Sequence, residues 1–526
     1  MLRDGKIWIA NNENGQPIYL NPKMANRHGM VAGATGTGKT ITLKVLAESF
    51  SEMGVPVFLA DVKGDLAGMC QPGIDSDDMQ KRIQKFGLAE AGFSYEKYPT
   101  TFFDIFGERG IPLRTTISEM GPVLLSRILD LNDLQSDILA ITFKIADDNN
   151  LLLEDTKDLK SMLNYVSENN KDLAAEYGNI SKVSIAAIMR SVVSMEMAGG
   201  DKFFGEPAIN IMDFIQRDQN GRGMINILDS QSLISNGALY SIFLLYLMAE
   251  LFETMPEVGD LDKPKLVFFF DEAHLLFDGA SKALMEKIEQ VIKLIRSKGV
   301  GIYFVTQNPR DIPDEVLAQL GNKVQHGLRA YTPAEQKAVR AAAQSYRENP
   351  SFDTQEAILA LGTGEAVISV LGEDGIPTVV EKCCVLPPRS KMGSIDGAVR
   401  ESEIKNNFLY SKYANPVDND SAYEFLLRKG LEDQKAAQKA EADAAAQKLA
   451  EAEAKKKAKE EEAAAKKAAN SKKKAVKSVT TSVGGTVGRE VGKAVGGTFG
   501  KFGKTLGGNV GASLGRGILN TLFKLN

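Results

Sequence analysis

The sequence predicts an α/β protein whose mostly parallel sheet is covered by helices on both faces. Short apolar runs of strand length alternate with segments of helical periodicity along most of the chain. One run, residues 266–270 (LVFFF), is wholly apolar, as expected for a central strand buried on both sides. Another run, Met30 to Ala32, leads into a glycine-rich turn and then a helical segment. Parallel strands joined by helices explain these observations together.

Seven strands are predicted from apolar runs that end at Gly, Pro or polar residues. They are 29–32, 56–60, 223–228, 266–270, 302–306, 324–328 and 365–370. Between the second and third lies a long block, roughly 115–204, in which apolar residues such as Ile117, Met120 and Leu124 recur at helical spacing. We therefore expect a helical-bundle insertion at 115–205 that separates two parts of one core, 1–114 and 206–430.

Composition indicates a large enzyme in a reducing compartment, and we expect a cytoplasmic location. The chain has 526 residues, of which 43% are apolar and 25% charged, which suits a soluble protein with two or three domains. Three cysteines do not make a disulfide framework, and three histidines argue against a zinc site. The longest apolar stretch, 239–248, is followed by Glu250 and predicts a buried helix rather than a membrane span.

Residues 33–40 read GATGTGKT, which matches the phosphate-binding pattern G-x-x-x-x-G-K-[ST] between a strand and a helix. In this pattern, backbone N–H groups surround phosphate oxygens at the positive end of a helix. Lys39 would reach the β- and γ-phosphates, and the Thr40 hydroxyl would bind Mg²⁺. A plain glycine-rich turn is the alternative, but the full match in its setting predicts ATP binding. The predicted nucleotide-binding residues are Gly33, Ala34, Thr35, Gly36, Thr37, Gly38, Lys39, Thr40 and Ile41.

Two acids follow the apolar strand 266–270, and they are candidates for the chemistry of hydrolysis. Asp271 and Glu272 would emerge at the carboxyl end of this strand, beside the phosphate-binding loop. Asp271 is placed to orient Mg²⁺ or its waters, and Glu272 to polarise the attacking water. The alternative is a buried strand that simply ends in two acids exposed to solvent. The presence of the phosphate-binding loop favours the catalytic interpretation over this alternative.

Three further residues are candidates for sensing or stabilising the γ-phosphate. Gln307 follows the strand 302–306 and would lie beside that phosphate. Arg296 ends a helical stretch and could be an arginine finger supplied to a neighbouring subunit, although basic residues are also ordinary at helix C-termini. Arg329, after the strand 324–328, is a second candidate for the finger. The sequence favours Arg296 and leaves the choice open.

Four segments together resemble the HerA/FtsK superfamily of ring-forming, ATP-dependent DNA motors. They are GATGTGKT, FLADVKGD (58–65), FFFDEAH (268–274) and VTQNPRDIP (305–313). Longer phrases such as NRHGMVAGATGTGKT and LGNKVQHGLRAYTPAEQKAV resemble a bacterial HerA-like helicase group within it. The resemblance covers about residues 1–430. It implies a RecA-like additional-strand P-loop ATPase fold, ATP hydrolysis with Mg²⁺, homo-hexamers and double-stranded DNA as a partner.

One departure limits what the resemblance implies. Archaeal HerA proteins carry an N-terminal β-barrel that docks a nuclease, whereas only about 30 residues precede the phosphate-binding loop here. A nuclease partner is therefore not implied.

The composition changes abruptly after residue 430. Residues 431–478 are rich in Ala, Lys and Glu without a coiled-coil seam, which predicts a solvated helix or a disordered linker. Residues 479–526 form a basic, glycine-rich tail; the stretch 471–526 has ten Lys or Arg against one acid, in a chain of net charge −5. Such a tail is either disordered or folds by self-association or on an anionic membrane, which would make a peripheral membrane contact.

Two classes of function are consistent with these observations. The first is a ring ATPase that moves DNA as a translocase or helicase. The second is a P-loop ATPase that remodels a protein or a membrane-associated assembly without DNA. The acidic body of the chain argues mildly against tight DNA binding, but a ring can confine its basic residues to the pore.

Overall fold

The computed structural model describes residues 1–233, 237–277 and 282–473. Within these ranges one sheet contains thirteen strands, and its parallel part carries the candidate site. The strands are β1 (Leu2–Arg3), β2 (Lys6–Asn12), β3 (Pro17–Leu20), β4 (Gly29–Ala32), β5 (Val57–Asp61), β6 (Thr100–Asp104), β7 (Ile111–Pro112), β8 (Ile225–Asp229), β9 (Leu266–Phe270), β10 (Val300–Thr306), β11 (Asn322–His326), β12 (Glu365–Ser369) and β13 (Glu381–Val385).

The helices of the same ranges cover the sheet and form the block between β7 and β8. They are α1 (Lys39–Glu52), α2 (Asp77–Phe86), α3 (Ile117–Ile128), α4 (Asp133–Asp148), α5 (Thr156–Glu168), α6 (Asn170–Tyr177), α7 (Lys182–Met195), α8 (Asp201–Phe203), α9 (Gly237–Thr254), α10 (His274–Phe277), α11 (Lys282–Ile295), α12 (Asp314–Leu317), α13 (Pro333–Gln344), α14 (Thr354–Ala360), α15 (Gly397–Lys405), α16 (Tyr410–Tyr413) and α17 (Ala422–Lys473).

The strand order is β1-β2-β13-β12-β11-β4-β10-β9-β5-β8-β6-β7, with β3 also paired to β2. The strands from β11 to β7 are parallel, whereas β12, β13, β2, β1 and β3 join through antiparallel pairs. Strand β10 lies between β4 and β9, pairing Phe304 with Met30 and Tyr303 with Phe269. This inserted strand confirms the additional-strand arrangement.

All seven predicted strands are present, and they form the contiguous middle of the sheet. Strands β4 and β9 have the predicted bounds, and the other five are displaced by one or two residues at an end. The six strands that the sequence did not predict are β1, β2, β3, β6, β7 and β13, which lie at the two ends of the sheet. Local apolar patterning therefore identified the middle strands and missed those at the ends, among them β6, whose five residues are all buried.

Apolar side chains that alternate along the strands build a separate core on each face of the sheet. Met30 and Phe58 belong to one core, and Val31 and Leu59 to the other. In the first core, the rings of Phe58 and Phe268 stack with their centroids 4.6 Å apart. The predicted helical layers on both faces follow from this alternation.

The block between β7 and β8 is helical, as predicted. It contains α3 to α8, and buried apolar residues such as Met120, Leu163 and Ile188 join these helices to the larger core. Thr116 is the N-cap of α3 and forms a capping box with Glu119. Its treatment as a separate insertion, and the boundaries 115–205, remain predictions.

The apolar stretch predicted as a buried helix belongs to α9, whose Leu244, Leu247 and Leu251 are fully buried. Among the described residues, no helix combines the length and apolarity needed to cross a bilayer.

A first compact unit covers Met1–Glu432. The described part of the predicted segment 431–478 is helical, within α17, while the tail 479–526 lies outside the described residues.

Candidate nucleotide-binding site

The loop 33–38 joins β4 to α1 and has the backbone shape of a phosphate cradle. Gly33, Gly36 and Gly38 have φ angles of 154°, 78° and 120°, which side chains with a Cβ rarely adopt. The Lys39 ammonium folds over the loop and donates to the carbonyl oxygens of Gly33 at 2.6 Å and Ala34 at 3.1 Å. Burial lowers the pKa of Lys39, and the positive charge of Lys63 lowers it further. This cation has backbone partners and is available to an anion.

Asp271 leaves the carboxyl end of β9 and points into the same corner of the sheet. Its side chain is buried, and its carboxylate accepts a hydrogen bond from the Glu272 backbone N–H at 3.0 Å. Burial raises the pKa of Asp271 to about 7, an effect that the charge of Lys63 opposes. Tyr240 fixes the backbone here by donating to the Asp271 carbonyl oxygen at 2.9 Å.

Glu272 follows in a left-handed backbone conformation, with φ of 48°. Its carboxylate lies 2.8 Å from the Lys63 ammonium and accepts hydrogen bonds of 3.2 Å from the Gln307 amide at both oxygens. Burial acts to raise the pKa of Glu272, but the hydrogen bond and charge of Lys63 outweigh it, and the pKa is lowered. Glu272 is therefore an ionised carboxylate with a positive φ, which is uncommon for a residue with a side chain.

Gln307 links Glu272, which follows β9, to the phosphate-binding loop. It follows β10, which lies between β4 and β9. While its amide nitrogen donates to Glu272, its amide oxygen accepts a 3.3 Å hydrogen bond from the Thr35 hydroxyl. The sequence predicted this position because Gln307 directly follows an apolar strand, and the structure brings Gln307, Glu272 and the loop together.

Lys39 and Asp271 border a cavity of about 310 Å³ above the carboxyl ends of β4, β5 and β9. Among the residues that line it are Thr35, Gly36, Gly38, Lys39, Thr40, Ile41, Lys63, Asp65, Asp271 and Thr363. Thr40 and Asp271 offer one hydroxyl and one carboxylate at the same cavity. Mg²⁺ commonly takes one or two protein oxygens and completes its shell with phosphate oxygens and waters, so this pair fits the ion.

His326 supports the loop from β11, a contact that the sequence analysis missed. Its Nδ1 is 2.8 Å from the Glu365 carbonyl oxygen and its Nε2 is 2.8 Å from the Thr42 hydroxyl. Burial lowers the pKa of His326 to about 4, so the ring is neutral at pH 7. Because a carbonyl can only accept, Nδ1 carries the proton and Nε2 accepts from Thr42.

The loop is also held by close backbone packing. A Cβ on Gly33 would lie 2.5 Å from the His326 Cβ, and one on Gly38 would lie 3.2 Å from the Gly364 Cα. The Gly364 N–H donates to the Thr37 carbonyl oxygen at 2.8 Å. Two of the loop glycines are therefore needed for packing as well as for phosphate access.

Lys63 enters the site from the turn that follows β5. The Asp61 carboxylate anchors this turn by accepting hydrogen bonds from the backbone N–H groups of Gly64 at 2.7 Å and Leu66 at 3.1 Å. Burial raises the pKa of Asp61 to about 6, with a further contribution from Asp65. From this turn the Lys63 ammonium reaches the Glu272 carboxylate, 2.8 Å away.

The two arginine candidates lie at opposite edges of the sheet. Arg296 precedes the amino end of β10, and the seven residues of that strand place it roughly 20 Å from the nucleotide edge. Its side chain is 39% exposed, and its ion pair with Asp260 measures 3.4 Å. Arg329 is exposed and follows β11 at the nucleotide edge, two residues after Gly327 accepts a hydrogen bond from Ala34 N–H. Arg296 is therefore remote from its own nucleotide cavity, whereas Arg329 is near it.

The strand order, the glycine loop and the acids after β9 define an additional-strand P-loop ATPase. The chain belongs to the family described as helicase HerA-like C-terminal, whose model matches residues 6–505.

Curated relatives agree with this assignment. The chain is 23% identical over 388 residues to the DNA double-strand break repair helicase HerA of Sulfolobus acidocaldarius, covering 72% of this chain and 68% of the relative. It is 27% identical over 376 residues to the protein of the same name from Sulfurisphaera tokodaii, covering 70% and 66%. The chain thus spans about two thirds of the length of these relatives.

A solved structure shares the fold. The plasmid coupling protein TrwB in complex with ADP and Mg²⁺ aligns with a TM-score of 0.51 at 16% identity, covering 75% of this chain and 92% of that one. At this identity the likeness concerns the fold alone, and it confirms the RecA-like P-loop architecture.

Proposed function

We propose that this protein is an ATP-hydrolysing ring motor that moves along double-stranded DNA. The observation that carries the proposal is a cavity lined by the glycine loop, Lys39 and Asp271, whose lining residues Lys63 and Thr35 also contact Glu272 and Gln307. Membership of the HerA-like family supports a motor, and the names of the archaeal relatives support DNA as the substrate.

The loop and its lysine would bind the polyphosphate of ATP. The backbone N–H groups of residues 33–41 would surround the phosphate oxygens at the N-terminus of α1. Lys39 would give up its hydrogen bonds to the carbonyl oxygens of Gly33 and Ala34 and bind the β- and γ-phosphates instead. The buried cation would then have negatively charged partners in place of neutral ones. Thr40 and Asp271 would hold Mg²⁺, which neutralises phosphate charge during transfer.

Glu272 would act as the general base. Its ionised carboxylate lies at the carboxyl end of β9, where it can accept a proton from a water positioned in line with the γ-phosphate. Gln307 would orient Glu272 and report on the same phosphate, because it already bridges Glu272 and Thr35.

Assembly into a ring would complete the site. Since Arg296 lies far from its own cavity, any role at a γ-phosphate requires the cavity of another subunit. Its loose ion pair with Asp260 leaves the guanidinium available to that neighbour. Arg329 is the second candidate, and a homo-hexamer is the assembly proposed for either.

The experiment is a steady-state ATPase assay with duplex DNA, single-stranded DNA and no DNA, at two salt concentrations. We expect duplex DNA to stimulate hydrolysis several-fold more than single-stranded DNA, with the stimulation falling at higher salt. The Glu272→Gln variant, purified in the same way, controls for contaminating ATPases. Stimulation by neither nucleic acid would overturn DNA translocation and favour an ATPase that remodels a protein or membrane-associated assembly.

A further inference from the structure

The carboxylate expected to activate water is held by three protein side chains. Glu272 Oε1 lies 2.8 Å from the Lys63 ammonium, and the Gln307 amide nitrogen lies 3.2 Å from both carboxylate oxygens. The His274 Nδ1 is 3.5 Å from Oε2. A carboxylate held in this way is a weak acceptor for a water proton, so at least one contact must open before hydrolysis.

Lys63 is the contact best placed to open. Its backbone is fixed by the turn that Asp61 anchors, while its side chain is 40% exposed and borders the nucleotide cavity. Because Lys63 is the exposed member of this ion pair and Glu272 is buried, the ammonium can move to another anion while the carboxylate stays in place. The four-carbon stem allows the ammonium to move without movement of the turn.

Lys63 and Lys39 bring two positive charges to one cavity. Lys39 donates to carbonyl oxygens, and Lys63 is paired with Glu272. The two ammonium groups repel one another, and a polyphosphate chain placed between them would relieve that repulsion. A terminal phosphate carries more negative charge than a carboxylate and offers three acceptor oxygens, so it competes effectively for Lys63.

We propose that Lys63 distinguishes ATP from ADP by exchanging Glu272 for the γ-phosphate. Without a γ-phosphate, Lys63 stays on Glu272 and keeps the base away from water. When ATP is bound, the ammonium moves to the terminal phosphate and Glu272 is released to accept the water proton. This inference rests on the proposed ATPase site and adds a residue that couples the presence of the γ-phosphate to the availability of the base.

The test is equilibrium binding of ADP and of a non-hydrolysable ATP analogue to the full chain carrying Lys63→Met. We expect the affinity for the analogue to fall about tenfold, as for loss of one charge-assisted hydrogen bond, and the affinity for ADP to change less than about twofold. Lys63→Arg, which keeps the charge, should restore most of the preference for the analogue. Lys6→Met, at an exposed lysine paired with Glu373, controls for the loss of a surface charge.

The ratio of the two affinities separates phosphate sensing from a structural role. If Lys63 only supports the fold of the site, both affinities fall together and the proposal is overturned; unchanged affinities overturn it too. Thermal unfolding without nucleotide checks that the variant is folded, and Lys63→Gln gives a second neutral side chain if Lys63→Met unfolds. Failure of the wild-type chain to bind either nucleotide would instead contradict the proposed ATPase function.

Discussion

Two groups of charged side chains lie at the carboxyl edge of the same parallel strands, and they differ in how their charges are matched. The nucleotide corner consists of Lys39, Lys63 and Asp271 at the cavity of about 310 Å³, with Glu272 paired to Lys63. The Asp229 corner consists of Asp229 at the end of β8 with Arg109 and Arg400, beside a cavity of about 520 Å³. Strands β5 and β8 are neighbours, so the two corners are adjacent.

In the Asp229 corner both cations are paired with one buried carboxylate. One buried oxygen of Asp229 lies 2.8 Å from Arg109 Nε and 2.9 Å from Arg400 Nη1. In the nucleotide corner, by contrast, the buried Lys39 ammonium donates to backbone carbonyl oxygens. The larger cavity thus borders a fixed structural ion pair, and the smaller one borders a cation with neutral partners. Cavity size and position at the sheet edge do not distinguish the nucleotide corner from the Asp229 corner. The partners of the buried cations do, because Lys39 has only neutral hydrogen-bond partners while Arg400 has a carboxylate.

The largest effect is expected for an arginine that would complete the nucleotide corner from another subunit. Arg296→Ala should bind ATP normally and lose about 10³–10⁵-fold in turnover, the range for an arginine finger. Mixing it with Lys39→Ala subunits should restore some activity, because some interfaces then join an intact loop to an intact finger. A fully active monomer by light scattering in ATP and Mg²⁺ would exclude this shared site, and Arg329→Ala tests the alternative residue.

Within the nucleotide corner, binding and chemistry should separate. Glu272→Gln should retain ATP binding and lose about 10²–10⁴-fold in turnover, because its shape survives while proton acceptance does not. Lys39→Ala, the comparison variant, should lose binding as well as hydrolysis. Steady-state ATPase and nucleotide-binding assays on both proteins distinguish the roles. Near-normal turnover in Glu272→Gln would remove that residue from the proposed chemistry.

The Asp229 corner should affect stability more than activity. Asp229→Ala leaves the buried Arg400 without its carboxylate and should lower the free energy of unfolding by about 3 kcal/mol. Urea unfolding measures this, and the ATPase rate per folded molecule should stay within about twofold of wild type. Glu401→Ala, which removes an exposed ion pair with Lys405, should leave the unfolding curve unchanged. Unaltered stability in Asp229→Ala would show that this corner is not a structural ion pair.

The smallest effect is expected for removal of the C-terminal segment. Truncation after Gly430 should leave DNA-independent ATPase activity within about twofold, because the described side chains of α17 beyond this point are exposed. The same assay with duplex DNA shows whether the basic tail contributes to stimulation. A large fall in DNA-independent activity would mean that the C-terminal segment supports the catalytic core.

The sequence predicted those parts of the site that lie in contiguous motifs or directly after an apolar strand. Residues 33–41 form a contiguous motif, and Asp271, Glu272 and Gln307 each directly follow an apolar strand of the predicted parallel sheet. Their meeting at one edge is a consequence of parallel strand order. The roles of these residues, like the domain boundaries, remain predictions.

The parts that were missed depend on contacts between distant segments. His326 meets Thr42 across 284 residues, and Lys63 meets Glu272 through a side chain whose direction no local pattern specifies. Strands β2 and β13 were missed because they join through antiparallel edge pairing and carry polar residues such as Asn11 and Lys382. Apolar patterning weakens wherever polar residues enter a strand, as Thr100, Thr101 and Asp104 do in the buried strand β6.

The pairing of β2 with β13 has a consequence for how the chain is made. About 370 residues separate these two strands, so β2 emerges from the ribosome long before its partner does. At typical synthesis rates of about 5–20 residues per second, β2 waits roughly 20–75 s for β13. Throughout that interval its hydrogen-bonding edge can pair with other chains. Newly made molecules should therefore depend on chaperones more than the mature fold, with its completed sheet, would suggest.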